Sequence, residues 1–370
     1  MINVAIIGVG KQGFKYTKLI NEDNINNFKL VSLVRIKDEY LKELNLNNCN
    51  VYTNINDLLN DLDNNKIKID LFIITTPHIY HKDYAIEAFK RGISVIVEKP
   101  VATTIKDVRI LNETYLKYKF VYPDLKFSVI YQKRLSNYIN YIKNIIDNKT
   151  LGHIVRINYT SSYFRPKAYY KNSKWLASWL NEQGGLLINQ GIHDLDLIYY
   201  LFGMPNNIYG KTYTKYHDIE CEDTVSSIMY YDNFELSFYS STSNPALTNR
   251  LEIVFENGSI IKTDDSIILA KLDNNINDYL EEKNNLFIKP NIKYETIELD
   301  KDTNLYIKYF NNYSNNILID GLSCINSILI MSSIYLSSEY NKVIKIPTTN
   351  GELIEFEEAY NKFINSKINK

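Results

Sequence analysis

The sequence predicts an α/β fold, with a doubly wound parallel sheet at the N-terminus and a second, sheet-rich part behind it. Three observations carry this. Short apolar, β-branched runs alternate with helical periods from residue 2 to about residue 97. The turn Gly8-Val9-Gly10-Lys11-Gln12-Gly13 stands between the first such run and the first helix. After Gly203 the apolar period changes from helical to strict alternation.

In order, residues 2–7 form the first strand, a helix follows from Phe14 to about Asn21, and Phe28–Val34 is the second strand. A G-x-G-x-x-G turn placed after a strand and opening a helix is a dinucleotide fingerprint. Gly8 permits the tight turn, Gly10 lets a pyrophosphate approach the backbone, and Gly13 lets helix and strand pack closely. Lys11 and Gln12 lie at the helix N-terminus, whose N–H groups and dipole suit phosphate. At the end of the second strand, 22 positions after Gly13, stands Arg35, with Lys37 close behind. A carboxylate there would repel a 2′-phosphate, whereas a guanidinium binds it with paired hydrogen bonds. NADP(H) is therefore favoured over NAD(H).

A short strand at Val51, a helix from Ile55 to near Asn64 and a buried strand at Ile69–Thr75 come next. The last leads into Thr75-Thr76-Pro77-His78-Ile79-Tyr80-His81. A helix to Arg91-Gly92 and a strand at Ile93–Val97 then reach Glu98-Lys99-Pro100. Ligands of such sheets bind at the carboxyl ends of the strands, where the glycine turn, Thr76–His81 and Glu98–Lys99 all fall. Pro100 is expected to hold Lys99 extended.

A helix at Ile105 to about Tyr118 precedes a strand at Lys126–Tyr131, followed by Gln132-Lys133-Arg134. The helix Ser136–Asn148 and the strand Ile154–Tyr163 lead to Arg165-Pro166-Lys167-Ala168-Tyr169-Tyr170. From Tyr163 to Trp179, aromatic residues interleave with Arg165, Lys167 and Lys174. Sugar-contacting loops have this look, and so does simple packing. Gly184 to Phe202 then reads as one helix, apolar nearly all round, with a narrow polar stripe of Asn189, His193, Asp196 and Tyr200. Buried polar groups need partners, so the stripe meets either protein groups or a ligand. Gly203 and Pro205 end it. Strands are expected at Ile208–Tyr216, Asp223–Tyr231, Phe234–Thr242 and Arg250–Phe255, with turns at Asp232-Asn233 and Asn257-Gly258. The polar stretch Leu272–Asn291 reads as a loop or insertion. Helices near Leu305–Asn315 and Gly321–Glu339, a short strand at Val343–Ile346 and an exposed, charged helix at Glu352–Ile364 complete the chain.

Composition bounds the function. At 370 residues there is room for two cores, and a net charge of −1 leaves no electrostatic footprint for nucleic acid. No apolar run approaches the roughly 20 residues of a membrane span, and the apolar start lacks a basic leader region. A cytoplasmic protein without membrane or nucleic-acid partners is expected. Cys49, Cys221 and Cys324 are far apart, and no metal site is foreseen.

Gly8-x-Gly10-x-x-Gly13, Thr76-Pro77-x-x-x-His81, Glu98-Lys99-Pro100 and Gly184-Gly185…Gly191-x-His193-x-x-Asp196 occur in this order. The set closely resembles the glucose–fructose oxidoreductase/inositol dehydrogenase (Gfo/Idh/MocA) family, from residue 2 to about Pro347. The resemblance implies a Rossmann domain at 1–123. It implies a C-terminal α+β domain at 124–370, built on an open, largely antiparallel sheet that holds a homodimer or homotetramer together. It makes Gly8, Gly10, Lys11, Gln12, Gly13, Arg35, Thr76, Pro77, His81, Glu98, Lys99 and Gln132 cofactor-binding candidates. Lys133, Arg165, Tyr169, Asn189 and His193 become substrate-binding candidates.

Hydride transfer to or from a carbinol carbon needs a group that handles the hydroxyl proton. Lys99 and His193 are two such groups, and a histidine near its ordinary value of about 6.5 exchanges protons at neutral pH. The family carries Asp one helical turn before the histidine; this chain carries Asn189, which can hydrogen-bond a hydroxyl but cannot take its proton. The expected activity is NAD(P)-dependent oxidation or reduction of a sugar, cyclitol or nucleotide sugar. NAD-assisted glycoside cleavage and a non-catalytic nicotinamide sensor are the alternatives.

Overall fold

A computed structural model describes residues 1–369 except 23, 26, 36–39, 41, 45, 47, 174, 265 and 301. Lys37 and Lys174 therefore lie outside the described residues. The chain forms two compact units, one of Met1–Gln132 with Asn304–Ile328, the other of Lys133–Thr303 with Leu329–Lys370.

In the first unit, β1 (Ile2–Ile7), β2 (Phe28–Val34), β3 (Asn50–Tyr52), β4 (Leu71–Ile74), β5 (Ser94–Val97) and β6 (Phe127–Val129) build one sheet. Its order is β3-β2-β1-β4-β5-β6, parallel throughout. The order reverses direction between β1 and β4, the crevice where such sheets bind dinucleotides. Every residue of β4 is buried, as expected for a strand covered by helices on both faces. The helices are α1 (Lys11–Asn21), α2 (Ile55–Asp63), α3 (His81–Lys90) and α4 (Ile105–Val121). Asn54 and Thr104 cap α2 and α4 through the N–H groups of Asp57 and Asp107. The returning helix Leu305–Ser314 sets Phe310 against Tyr16 and Phe28, with ring centroids 5.3 and 5.8 Å apart.

The second unit holds β7 (Ile154–Ser162), β8 (Asn207–Tyr213), β9 (Thr224–Tyr230), β10 (Glu235–Ser241), β11 (Arg250–Phe255), β12 (Gly258–Lys262), β13 (Ile267–Leu272), β14 (Ile292–Ile297) and β15 (Ile344–Lys345). They form one sheet in the order β14-β13-β12-β11-β7-β10-β9-β8-β15. All pairs are antiparallel except β7 with β10. One face buries Ile157, Leu236, Phe238, Met229 and Ile253, while Asn158, Ser237, Ile228 and Glu252 on the other stay partly open. The helices named below are α5 (Asn137–Asp147), α6 (Lys167–Lys171), α7 (Leu186–Asn189), α8 (Ile192–Phe202) and α9 (Ile276–Leu280).

Four features depart from the sequence reading. The helix expected from Gly184 to Phe202 is two helices, α7 and α8, interrupted at Gln190 and Gly191. β12, β13 and β14 extend the sheet on either side of the stretch Leu272–Asn291 read as a loop or insertion, and α9 lies within that stretch. The terminal helix, Asn350–Ile368, is not simply exposed, because Phe356, Tyr360, Phe363 and Ile364 are buried along one side. Gly321–Tyr340 is long and apolar enough to cross a membrane by length and composition, although 72% of its most apolar window is buried inside the protein. Ser and Asn residues break up that run in the sequence.

Gly185 shows how tightly the second unit is packed: a Cβ there would lie 2.2 Å from the Glu222 carbonyl oxygen. Gly185→Ala is expected to lose about 2 kcal/mol or more in urea unfolding. Gly351→Ala, with no heavy atom within 4 Å of the new methyl, should be neutral or gain up to about 1 kcal/mol from helix propensity.

Candidate active site

The glycine turn is tightly packed on one side and open on the other. Gly8 has φ +92°, and a Cβ there would lie 2.4 Å from Thr76 Cγ2. A Cβ on Gly13 would lie 2.7 Å from both Gly8 O and Thr75 Oγ1, and Thr75 Oγ1 donates to Gly8 O at 2.6 Å. Gly10 is different: nothing lies within 4 Å of its Cβ direction. Gly8 and Gly13 are thus required by the protein's own packing, while Gly10 leaves open space above the turn. Helix α1 has no side-chain cap and no acid in its first turn, and its first closing bond runs from Phe14 N–H to Gly10 O (2.9 Å). The N–H groups before it have no helical acceptor, which is how helices receive anions. Exposed Lys11 opens the helix.

Glu98 is the hub beside this turn. It is 7% exposed; Tyr16 Oη donates to Oε1, Gln12 Nε2 donates to the same oxygen at 3.3 Å, and the Lys99 N–H donates to Oε2 at 3.1 Å. Burial, then the Glu98 charge, push the Tyr16 hydroxyl well above its ordinary value, so it stays a donor. Tyr306, on the returning helix, accepts from Gln12 Nε2 (3.3 Å) and from Gln132 Nε2 (3.0 Å). Lys99 is half-buried after β5. The Lys99–Pro100 peptide is cis, which the sequence reading did not foresee.

His81 is fully buried, with Nδ1 2.8 Å from Pro100 O and Nε2 2.7 Å from Thr76 O. Burial pushes it down to about 4 against the pull of both carbonyls; as a neutral ring it donates to one of them and packs its other nitrogen against the second. Pro77 starts the turn between Thr76 and His81. The buried oxygens Thr76 Oγ1 and Gln132 Oε1 meet no hydrogen-bond partner among the described residues. Unpartnered polar atoms of this kind fit a polar ligand. Arg35, exposed at the end of β2, lies 5.9 Å from the Tyr80 ring centre and donates to Tyr84 Oη at 3.3 Å. The residues present therefore fit a bound dinucleotide.

In the second unit, Gly191 N–H bonds back to Leu186 O (2.7 Å), and α8 starts afresh with Leu195 N–H on Gly191 O (3.0 Å). From Gly184 to Ile198 only Asn189 and His193 are not buried. The rest of the expected polar stripe is held by protein: Arg134 donates to Asp196 with Nε (2.9 Å) and Nη2, and its guanidinium lies 5.2 Å from the Tyr200 ring centre. Burial raises Asp196 to about 6 against that guanidinium. Asn189 Nδ2 donates to Glu182 Oε1 at 2.7 Å.

Asp194, next to His193, is fully buried. It accepts from Tyr159 Oη (2.8 Å), Tyr163 Oη (2.6 Å), Ser161 Oγ (2.7 Å) and Lys133 Nζ (3.1 Å). Lys133 also donates to Tyr163 Oη at 2.6 Å, so a residue expected to meet substrate is largely engaged by protein. Arg165 lies 5.1 Å from the Tyr169 ring centre, and Tyr169 Oη accepts from Gln190 Nε2 at 3.3 Å.

Residues 2–122 match the sequence model described as "Oxidoreductase family, NAD-binding Rossmann fold", and 139–261 match that of the "GFO/IDH/MocA C-terminal domain". The chain belongs to the Gfo/Idh/MocA family. The family comprises NAD(P)-dependent oxidoreductases acting on CH–OH groups. Among relatives of this Gfo/Idh/MocA chain, scyllo-inositol 2-dehydrogenase (NADP(+)) IolW of Bacillus subtilis is 24% identical, over 70% of this chain and 68% of the relative. Glucose-6-phosphate 3-dehydrogenase of Bacillus subtilis is 27% identical over 35% of this chain and 36% of the relative. The WlbA dehydrogenase of Bordetella pertussis, solved with NADH and UDP-GlcNAcA, superposes with a TM-score of 0.75 at 20% identity, over 94% of this chain and 99% of that one. Levoglucosan dehydrogenase, solved with NADH and levoglucosan, gives 0.75 at 16% identity over 94% and 100%.

For this family member the sequence reading overlooked Tyr16 and Tyr306 around Glu98, and Asp194 and Glu182 around the α7–α8 pair. The hydroxyls on Asp194 had a visible signal, because Tyr159 and Ser161 share one face of β7 and Tyr163, just beyond it, continues the period of two. Tyr306 had none, being 294 positions from Gln12.

Glu222 caps α7, accepting from Leu187 N–H (2.8 Å), Gly185 N–H (3.3 Å) and Tyr335 Oη (2.8 Å). Burial raises it to about 7. A carboxyl raised in the folded state contributes stability below its unfolded value, lost as pH rises through the folded one. Thermal unfolding between pH 5 and pH 8 should therefore show Glu222→Gln gaining on the wild type as pH rises. A constant difference between the two would contradict the raised value.

Proposed function

We propose that this chain is a dehydrogenase or reductase that transfers hydride between a nicotinamide and a hydroxyl-bearing carbon of a sugar, cyclitol or nucleotide sugar, with NADP(H) preferred. The observation that carries the reading is the open space at Gly10 over an uncapped α1 in the first unit; in the second unit, by itself, Asn189 and His193 are the only residues not fully buried from Gly184 to Ile198. The relatives named above, which include an inositol and a sugar-phosphate dehydrogenase, support the substrate class.

In this reading residues 1–123 hold the dinucleotide and 124–370 the substrate. Gly8, Gly10, Lys11, Gln12 and Gly13 receive the pyrophosphate on backbone N–H groups. Arg35, steadied by Tyr80 and Tyr84, receives the 2′-phosphate with a bidentate guanidinium. Thr76 and Gln132 offer their unpartnered oxygens, and Pro77, His81 and Glu98 shape the walls from behind. When bound, the nicotinamide supplies the hydride acceptor or donor. His193 takes the hydroxyl proton during oxidation and returns it during reduction, and Lys99 is the second proton-handling candidate, able to polarise a substrate oxygen by donating a hydrogen bond. Asn189 orients a neighbouring hydroxyl, while Lys133, Arg165 and Tyr169 line the substrate side. A second copy of the chain is expected against the partly open sheet face around Ile228, Ser237 and Asn158, giving a homodimer or homotetramer in the cytoplasm.

Calorimetric titration should find NADPH bound at least about tenfold more tightly than NADH (about 1.4 kcal/mol), with Arg35→Ala removing most of the difference. Tenfold preference for NADH would overturn the assignment of Arg35. Gly10→Ala should unfold like the wild type yet lose dinucleotide affinity. On a panel of polyols, inositols, sugar phosphates and nucleotide sugars, Lys99→Ala and His193→Ala should each lower kcat by about 100-fold or more for the substrate found. Wild-type turnover by either variant would end its catalytic assignment.

A further inference from the structure

We infer that Glu182 is a positioning residue that sets which end of the Asn189 amide serves the substrate, and that it supplies from residue 182 the negative charge absent at 189. The inference rests on the reading of Asn189 and His193 as site residues. Glu182 is 1% exposed, and each of its oxygens is committed: Oε1 accepts from Asn189 Nδ2 (2.7 Å) and Oε2 from the Ala177 N–H (2.5 Å).

The end of the amide facing Glu182 is the NH2 group, the end that a carboxylate, which only accepts hydrogen bonds, selects. The planar amide then carries its carbonyl oxygen on the opposite branch. Asn189 is half-buried, whereas Glu182 is shut away from water. A substrate hydroxyl meeting the carbonyl end donates its proton into that hydrogen bond, as it would to an aspartate.

The arrangement also explains why a carboxylate at 189 would be incompatible with this chain. In Asn189→Asp the new carboxylate would face Glu182 at hydrogen-bond distance, and two carboxylates that close cannot both ionise. Residues 182 and 189 therefore act as a matched pair: Glu with Asn, or Gln with Asp. In Glu182→Gln the introduced NH2 meets the Asn189 NH2, and relief requires Asn189 to turn over, which presents a donor where the wild type presents an acceptor. In Glu182→Gln/Asn189→Asp the introduced NH2 at position 182 donates to the new carboxylate at 189, and the acceptor is restored.

The test compares wild type, Glu182→Gln, Asn189→Asp and the double variant in two measurements. The first is the His193 titration followed by NMR, assigned by loss of its signal in His193→Gln, together with thermal unfolding; it needs no substrate. Glu182→Gln should lower the His193 value, since removing a negative charge disfavours the imidazolium, and the double variant should return it. Asn189→Asp should be less stable than the wild type by a margin that grows from pH 5 to pH 8, and the double variant should erase the margin. The second measurement is the pH profile of kcat and KM on the substrate identified above. Both single variants should lose about tenfold or more in kcat, and the double variant should recover to within about threefold of wild type. An unmoved His193 titration in Glu182→Gln, or a double variant no better than Asn189→Asp in unfolding, overturns the inference. If no panel compound is turned over even by the wild type, the dehydrogenase reading fails, and the first measurement still decides the pair.

Discussion

A carboxylate taken out of water has to be met by donors, and both units are arranged around that demand. The idealised cost of burying an unpaired charge is larger than the stability of a typical domain, so a buried acid is met by donors, shifts toward its neutral form, or both. Glu98 is met by Tyr16, Gln12 and the Lys99 N–H. Asp194 is met by three hydroxyls from the β7 strand and its exit, and by Lys133. Each arrangement fixes a neighbour that is itself half-open. Glu98 grips the backbone of the residue after it, which orients Lys99. Asp194 pins the first turn of α8 to β7, so that His193, one residue earlier and about 100° round the helix, is turned to a different side. The position of each proton-handling candidate thus follows from a buried acid adjacent in sequence.

The break between α7 and α8 belongs to the same logic. A single straight helix through residues 186–202 would carry Asn189, His193, Asp196 and Tyr200 along one line. The interruption at Gln190 and Gly191 separates them: Asp196 and Tyr200 go to Arg134, Asn189 goes to Glu182, and Gln190 goes to Tyr169. Gly191 permits the tight return, since a Cβ there would lie 3.1 Å from Leu187 Cα. Glu222 receives the N–H groups at the start of α7, which a helix of only four residues needs for want of internal bonds.

What could be read from the chain alone follows from how local each signal is. The parallel sheet was legible because every strand and helix carries its own period, and the glycine turn because the geometry it demands is confined to six residues. The Arg134–Asp196 pair, the Tyr306 contacts and the Glu182–Asn189 contact depend on chain pairing over 7 to 294 positions, and no pattern along the sequence announces a partner. The helical wheel failed for a physical reason: it assumes constant rotation per residue, and one glycine-permitted interruption invalidates the phase beyond it. β14 was hidden because it is exposed along nearly all its length and so lacks the alternation that burial of one face imposes.

The distribution of charge carries the functional argument one step further. Glu98, Glu182, Asp194, Asp196, Glu222 and Asp223 are all less than 9% exposed, and each accepts hydrogen bonds from the protein. The candidate residues left partly or fully open, Lys11, Arg35, Lys99, Asn189 and His193, are cationic, neutral or able to become cationic. In each unit, taken by itself, these buried acids are internal scaffolding: their oxygens are occupied by protein donors, and those hydrogen bonds hold the half-open side chains beside them in place.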